Sequence, residues 1–412
     1  MDDLGVNYFI STVITPRASD SRGYYDYVPE IFLREEHNEA MLLAVSAVGL
    51  AAMSNINHVP QWLHHSQAQY ANAVRLVNRS LQSPTQVRRD STLVTVSVLG
   101  LYDQIAHNSD SRLDTWANHA LGAASILAVR GADQVTTSLG TRIFSQVMAD
   151  MLVACLHRRL PMPPHMVALR ELLTPSVDSE DLAWQMSGIE ISFLDLLVTY
   201  ESLSLVDLID RALVIDWQFQ QLLDSLPLRG YFITIRDTSV DHSEVYNCRF
   251  DIYHEPQCAK IWNGGRIYRS LLHQIIQEEL LKGFADNTSE MVSPRFTQQL
   301  QSSHEVMLQM RDDILASMPQ VLGQEIPLSV LETVPFSAEK MASLANNRVP
   351  GGGHFAVWFL YVIAQLPVTT MSDRIWIVNR MDAIWKEKGI FKARDLARRI
   401  EELGSGAAKF LK

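Results

Sequence analysis

The chain is poor in cysteine, with three in 412 residues: Cys155, Cys248 and Cys258. None stands at a Cys-x-x-Cys spacing, so neither a disulfide framework nor a zinc module is encoded, and the usage suits a reducing compartment. Basic residues are also in deficit. Lys and Arg number 35 against 46 Asp and Glu, a formal net charge of −11. Affinity for a phosphate backbone comes mainly from Lys and Arg releasing counterions, so direct nucleic-acid binding by this chain is not expected. Apolar runs are short. The longest, Met41 to Met53 and Phe355 to Ala364, fall below the roughly 20 residues of a membrane span. The acidic start, Met1-Asp2-Asp3-Leu4-Gly5, lacks the basic-then-apolar layout of a secretion signal. The expectation is a soluble intracellular protein, nuclear or cytoplasmic, without a membrane partner.

Several catalytic signatures are missing as well. There is no Gly-x-Gly-x-x-Gly, no P-loop and no Gly-x-Ser-x-Gly elbow. His304-Glu305 opens like a zinc-protease motif but has no second histidine four residues on. His64 and His65 are neighbours, about 100° apart on a helix, and make poor co-ligands. Asp312-Asp313 lacks the third carboxylate of a magnesium motif and reads as a solvated acidic turn. Gly351-Gly352-Gly353 reads as a flexible lead-in to a helix. Cys155, among Leu152, Val153 and Leu156, reads as a buried thiol. No metal and no cofactor are expected.

What is present is helical periodicity and 47 % hydrophobic residues, enough for a large core. Helices are expected over Glu35–Met53, from Pro60 to Ser83, and from an Asp90 N-cap through Tyr102. Further ones are expected over Ser138–Leu160, Ile189–Leu203, Val206–Leu226, from Pro256 to Lys282, and from Ser293 to Pro319. The last three are Phe355–Leu366, Ser372–Lys388 (capped by Gly389) and Lys392–Leu403. Tyr231–Asp237 alternates like a short strand or extended loop. The predicted fold is all-α, a large array of packed antiparallel helices forming a single domain over 1–412, with a sub-division near 229–255 if there is one.

One stretch combines packing and chemistry: Ser111 to Gly131, "SRLDTWANHALGAASILAVRG". Ser111 and Asp114 have the spacing of a capping box, Arg130 sits at the negative end of the helix dipole, and Gly131 suits a left-handed cap. Gly122-Ala123-Ala124 would let a second helix approach closely. Trp116 and His119 remain candidates for a ligand pocket, and a packed, hydrogen-bonded His119 is the plainer reading. His354 and Trp358 join them as aromatic and hydrogen-bonding candidates in the late apolar helix.

An ordered set of segments carries a resemblance. It comprises "AVGLAAMS" (Ala47–Ser54), Tyr70, Ala73, "DSTLVTVSVLGLYD" (Asp90–Asp103), Trp116, His119, Gly122-Ala123 and Arg130-Gly131. Later come Trp262–Ile276, Arg311–Gly323 and Arg374–Ala397. In this order they resemble the regulatory region of fungal zinc-binuclear-cluster transcription factors, the fungal-specific transcription factor domain. The resemblance implies a helical fold and a role in transcriptional regulation, often of metabolic gene clusters, with no catalytic residues to carry over. The family's DNA reader needs six clustered cysteines, and this chain has three, scattered. Met1 and the early onset of family-like sequence suit a stand-alone regulatory domain.

Two functions follow. One is a regulator of a secondary-metabolic gene cluster acting through a partner transcription factor or a small effector, with homodimerisation through exposed helix faces left open. The other is a recruited biosynthetic protein, a cofactor-independent cyclase or pericyclase that folds a hydrophobic polyketide or terpenoid in a helical pocket.

Overall fold

The computed structural model describes residues 2–15, 23–35, 38–106, 113–178, 181–225, 231–236, 244–255, 258–286, 293–324, 337 and 352–403. Among them are fifteen α-helices and one two-stranded sheet, the all-α class expected. The residues group into two compact units. Unit 1 is Met1–Ser187 with Ala383–Arg394, and unit 2 is Gly188–Asp382 with Asp395–Lys412. The grouping changes within a helix near Ser187, whereas the sub-division expected near 229–255 falls inside unit 2.

Unit 1 holds α1 (Asp2–Thr12), α2 (Val28–Arg34), α3 (Glu39–Asn57), α4 (Pro60–Leu81), α5 (Asp90–Ile105), α6 (Leu113–Arg130), α7 (Ser138–Arg158) and α8 (Pro164–Leu173). Helices α1, α4 and α5 pack around α3, and α6 packs between α5 and α7. Helix α3 is buried along most of its length, from Ala44 to Ala52 without a break. Helix α5 is buried from Ser91 to Asp103. A helix apolar on every side is a core helix. Both α3 and α7 are long and apolar enough to cross a membrane by length and composition, with 67 % and 72 % of the relevant window buried. This corrects the expectation that no segment reaches that length. Polar residues break the apolar runs in sequence, but the mean hydropathy of the windows still reaches 1.6 and 1.3.

Local sequence places most helix ends. Pro60 sits in the first turn of α4, where its missing N–H costs nothing. Thr137 caps α7, its hydroxyl accepting from the Gly140 N–H at 3.0 Å. Asp90 is not the cap of α5. Arg89 takes that position, and the free N–H groups of Asp90 and Ser91 donate to the Glu35 carboxylate at 3.1–3.4 Å. A carboxylate from a distant segment thus does the capping, and Asp90 is released to pair with Arg130. Helix α3 begins at Glu39, after the expected Glu35. Ser111 lies outside the described residues.

Helix α9 (Leu182–Thr199) bridges the grouping boundary. Unit 2 continues with α10 (Leu205–Asp224), β1 (Phe232–Arg236), β2 (Arg249–Tyr253), α11 (Cys258–Ala285), α12 (Pro294–Leu322) and α13 (Gly352–Ile363). The last helices, α14 (Met371–Lys388) and α15 (Phe391–Leu403), contribute residues to both units. Strands β1 and β2 pair antiparallel with Phe232 opposite Tyr253 and Thr234 opposite Asp251, and β2 packs on α12. The expected strand in Tyr231–Asp237 is therefore real, and its partner lies in the stretch read as a connection.

Helix α12 does not stop at Pro319. It runs to Leu322 and ends on Gly323 at φ +73°. A proline in the last turn forfeits one backbone bond, and the Pro319 carbonyl is still used, by the Gln324 N–H at 2.9 Å. Gly352 and Gly353 belong to the first turn of α13 and are buried, so they are not a flexible lead-in. Gly389 ends α14 at φ +68°, as expected, and a Cβ there would stand 2.4 Å from the Ala52 carbonyl.

Candidate functional site

In unit 1 three consecutive helices converge on one carboxylate. Asp103, near the end of α5, is 7 % exposed. From α4 the Tyr70 hydroxyl donates to its Oδ1 at 3.4 Å. From α6 the His119 Nε2 stands 3.3 Å from its Oδ2. The Tyr70 ring stacks on Tyr102 with centroids 4.3 Å apart and planes at 20°. The Ser66 hydroxyl, which donates to the Ala47 carbonyl at 2.8 Å, lies 3.3 Å from the Tyr102 oxygen. Burial raises the pKa of both phenols, and for Tyr70 the Asp103 carboxylate raises it further. Both stay protonated at neutral pH, and Tyr70 serves as a donor to Asp103.

Gly100 sets the distance between α5 and α6. A Cβ built there would stand 2.9 Å from the His119 Cβ and 3.5 Å from the Trp116 Cδ1. Trp116 and His119 are thus rooted over the same point of α5. The expectation that Gly122 permits the close approach is corrected, since its Cβ would meet Val96 at an ordinary 3.6 Å. The His119 side chain keeps 22 % of its surface exposed. His119 is thus partly exposed, with Trp116 one turn earlier on the same helix and a buried carboxylate behind it.

His354 and Trp358 lie in unit 2, one turn apart on α13. Burial lowers the His354 imidazole to about 4, so it is neutral at physiological pH. The Trp358 ring lies 6.4 Å from that of Tyr361. These two candidates stand together on one helix of unit 2, and the pair on α6 belongs to unit 1.

The sequence reading missed two polar clusters in unit 2. Arg266, 2 % exposed, donates to the Tyr253 hydroxyl at 2.6 Å and to the Asn263 carbonyl oxygen at 3.0 Å, with its guanidinium 5.3 Å from the Phe232 and Trp262 ring centres. Asp313 lies 2.6 Å from Arg249, and Asp312 lies 2.8 Å from Arg311. The expected solvated acidic turn is therefore mid-helix, and its two carboxylates are neutralised by arginines. Asp251, fully buried, accepts from the Thr234 hydroxyl at 2.7 Å, and burial raises its carboxyl despite the nearby arginines.

The second cluster reads Asp216, His273 and Ser303. His273 Nε2 is 3.5 Å from Asp216, and Nδ1 is 3.0 Å from the Ser303 hydroxyl. Arg269 holds Asp216 at 2.7 and 3.2 Å. Burial alone would raise this carboxyl, but the nearby His273 and the bonds from Arg269 outweigh it and hold it below its usual value. Ser303 has no exposed surface, so the set ties α10, α11 and α12 together without offering a nucleophile. Cys155 is 2 % exposed, and burial pushes its thiol up to about 11, as a structural cysteine requires. Among the described residues no three His, Cys, Asp or Glu side chains form a metal-binding group.

The family described as fungal specific transcription factor domain matches residues 6–175. Over those residues, less than half of the chain, the protein is similar to that family. No curated protein and no solved structure matches the chain. The matched fungal transcription factor domain lies within unit 1 and contains Tyr70, Asp103, Trp116 and His119. The later family-like segments, from Trp262 onward, fall outside the matched range.

Proposed function

We propose that the chain is a transcription-factor-like regulator of a fungal metabolic gene cluster that works in the nucleus through a partner or a small effector. The family match over residues 6–175 carries the reading. The net charge of −11 and the three scattered cysteines support a role in which another protein supplies the DNA contacts. The partly open Trp116–His119 site is where a small effector would enter. The test is deletion of the gene with measurement of transcripts from the neighbouring biosynthetic genes. Coordinate loss of those transcripts is expected, and unchanged transcripts would refute the reading.

A second reading is favoured by one observation, an imidazole backed by a carboxylate beside an indole. That set could orient and deprotonate a bound polyketide in a cofactor-independent cyclisation. In that case the deletion strain keeps its transcripts and accumulates an uncyclised intermediate.

A further inference from the structure

We propose that Asp103, His119 and Trp116 form a receptor for the acidic hydroxyl of a flat unsaturated ring, a phenol or an enol. The inference rests on the reading of unit 1 as an effector-binding region and names the effector's chemistry.

The argument starts from Asp103. An ionised carboxylate only accepts hydrogen bonds. Its Oδ1 receives the Tyr70 hydroxyl, so a donor is required at Oδ2. The group facing Oδ2 is the His119 Nε2, at an ion-pair distance of 3.3 Å, and Oδ2 accepts no hydrogen bond from any described residue. Of the two neutral tautomers, the one with its proton on Nε2 turns a positive N–H rather than a lone pair toward the carboxylate 3.3 Å away, so the charge of Asp103 favours it. The other nitrogen, Nδ1, is left with a lone pair. Among the described residues no protein group bonds to it, and the ring is partly open to solvent.

A lone pair of this kind recognises a hydroxyl donor. The donor strengthens as the hydroxyl becomes more acidic. Trp116, one turn earlier and rooted over the same glycine, supplies an apolar ring on the same stretch of α6. Tyr70 stays protonated and occupied with Oδ1, so it does not compete for the ligand's hydroxyl. A carboxylate ligand would instead bring its charge toward Asp103, and an alkyl ether would have no proton to give.

The test compares binding of 2-naphthol and 2-methoxynaphthalene to the purified full chain, by tryptophan fluorescence and calorimetry. The naphthol should bind about ten-fold tighter, the effect of one hydrogen bond. In Asp103→Asn the amide oxygen can still accept from Tyr70 while its NH2 donates to Nε2. The tautomer then reverses, Nδ1 becomes a donor, and the preference should vanish or invert. His119→Phe keeps the aromatic volume and should bind both probes equally. The proposal is overturned if the wild type binds neither probe or binds both alike, or if the preference persists in a folded Asp103→Asn chain. A structural role for Asp103 would lower both affinities together and leave the ratio unchanged, which also counts against it. The deletion strain separates the two readings. Unchanged transcripts with an intact naphthol preference remove the regulator and keep the site; lost transcripts with no preference do the reverse.

Discussion

Gly100 and Gly122 face each other's helices across the α5–α6 contact, and the same substitution should act on them with opposite sign. Replacing glycine by alanine inside a helix gains about 0.8–1.0 kcal/mol of helix propensity at either position. At Gly122 the new methyl would meet Val96 at 3.6 Å, an ordinary contact, so Gly122→Ala should stabilise by about 0.5–1 kcal/mol. At Gly100 the methyl would stand 2.9 Å from the His119 Cβ, an atom fixed to the backbone of α6. Relief requires the helix to move, and overpacking of this kind costs about 1–3 kcal/mol. Propensity cancels between the two variants. Their difference isolates the packing cost, about 1–3 kcal/mol, or about 2–4 °C of melting temperature per kcal/mol in a unit of this size. Urea and thermal unfolding followed by circular dichroism measure it. Gly100→Ala should also displace His119 from Asp103 and erase the naphthol preference, while Gly122→Ala keeps it. Equal stability shifts in the two variants would refute the account of how α5 and α6 are spaced, and with it the claim that one glycine positions the site.

Three further outcomes are expected. Arg266→Met should destabilise unit 2 by about 2–4 kcal/mol in urea unfolding, because it leaves the buried Tyr253 hydroxyl and Asn263 amide oxygen without their donor; a loss under about 1 kcal/mol would contradict that assignment. The folded-state pKa of His354 is lowered to about 4 from its ordinary 6.5. The unfolded chain therefore binds the proton first as pH falls, and the contribution present above pH 6.5 is lost down to about pH 4 and then levels off. The loss should be of order 1–3 kcal/mol, and His354→Gln should flatten it; the same pH slope in that variant would assign the effect elsewhere. Cys155, with its thiol near 11, should resist a thiol-selective disulfide reagent at pH 7.5 in the native chain and react in urea, and rapid native labelling traced to Cys155 by peptide mapping would refute its burial.

The sequence by itself determined the helical class, most helix spans, the Gly389 cap and the buried character of Cys155. These follow from local periodicity and from single residues with fixed backbone preferences. It also marked Trp116 and His119, because an indole and an imidazole stand out in a small-residue apolar helix. Asp103 lay in a quoted segment, yet nothing in its neighbourhood announced Tyr70, 33 positions earlier, or His119, 16 positions later, as partners. A carboxylate inside an otherwise apolar helix was the signal available. Only the tertiary structure decided which polar groups met, and each correction has that cause. Glu35 displaced Asp90 as the cap of α5, arginines from β2 and α11 turned Asp313 from a solvated residue into a buried partner, and Gly100 took the spacing role assigned to Gly122. Caps, ion pairs and close helix crossings depend on which segments are brought within a few ångströms, and that is settled by the packing of whole helix faces.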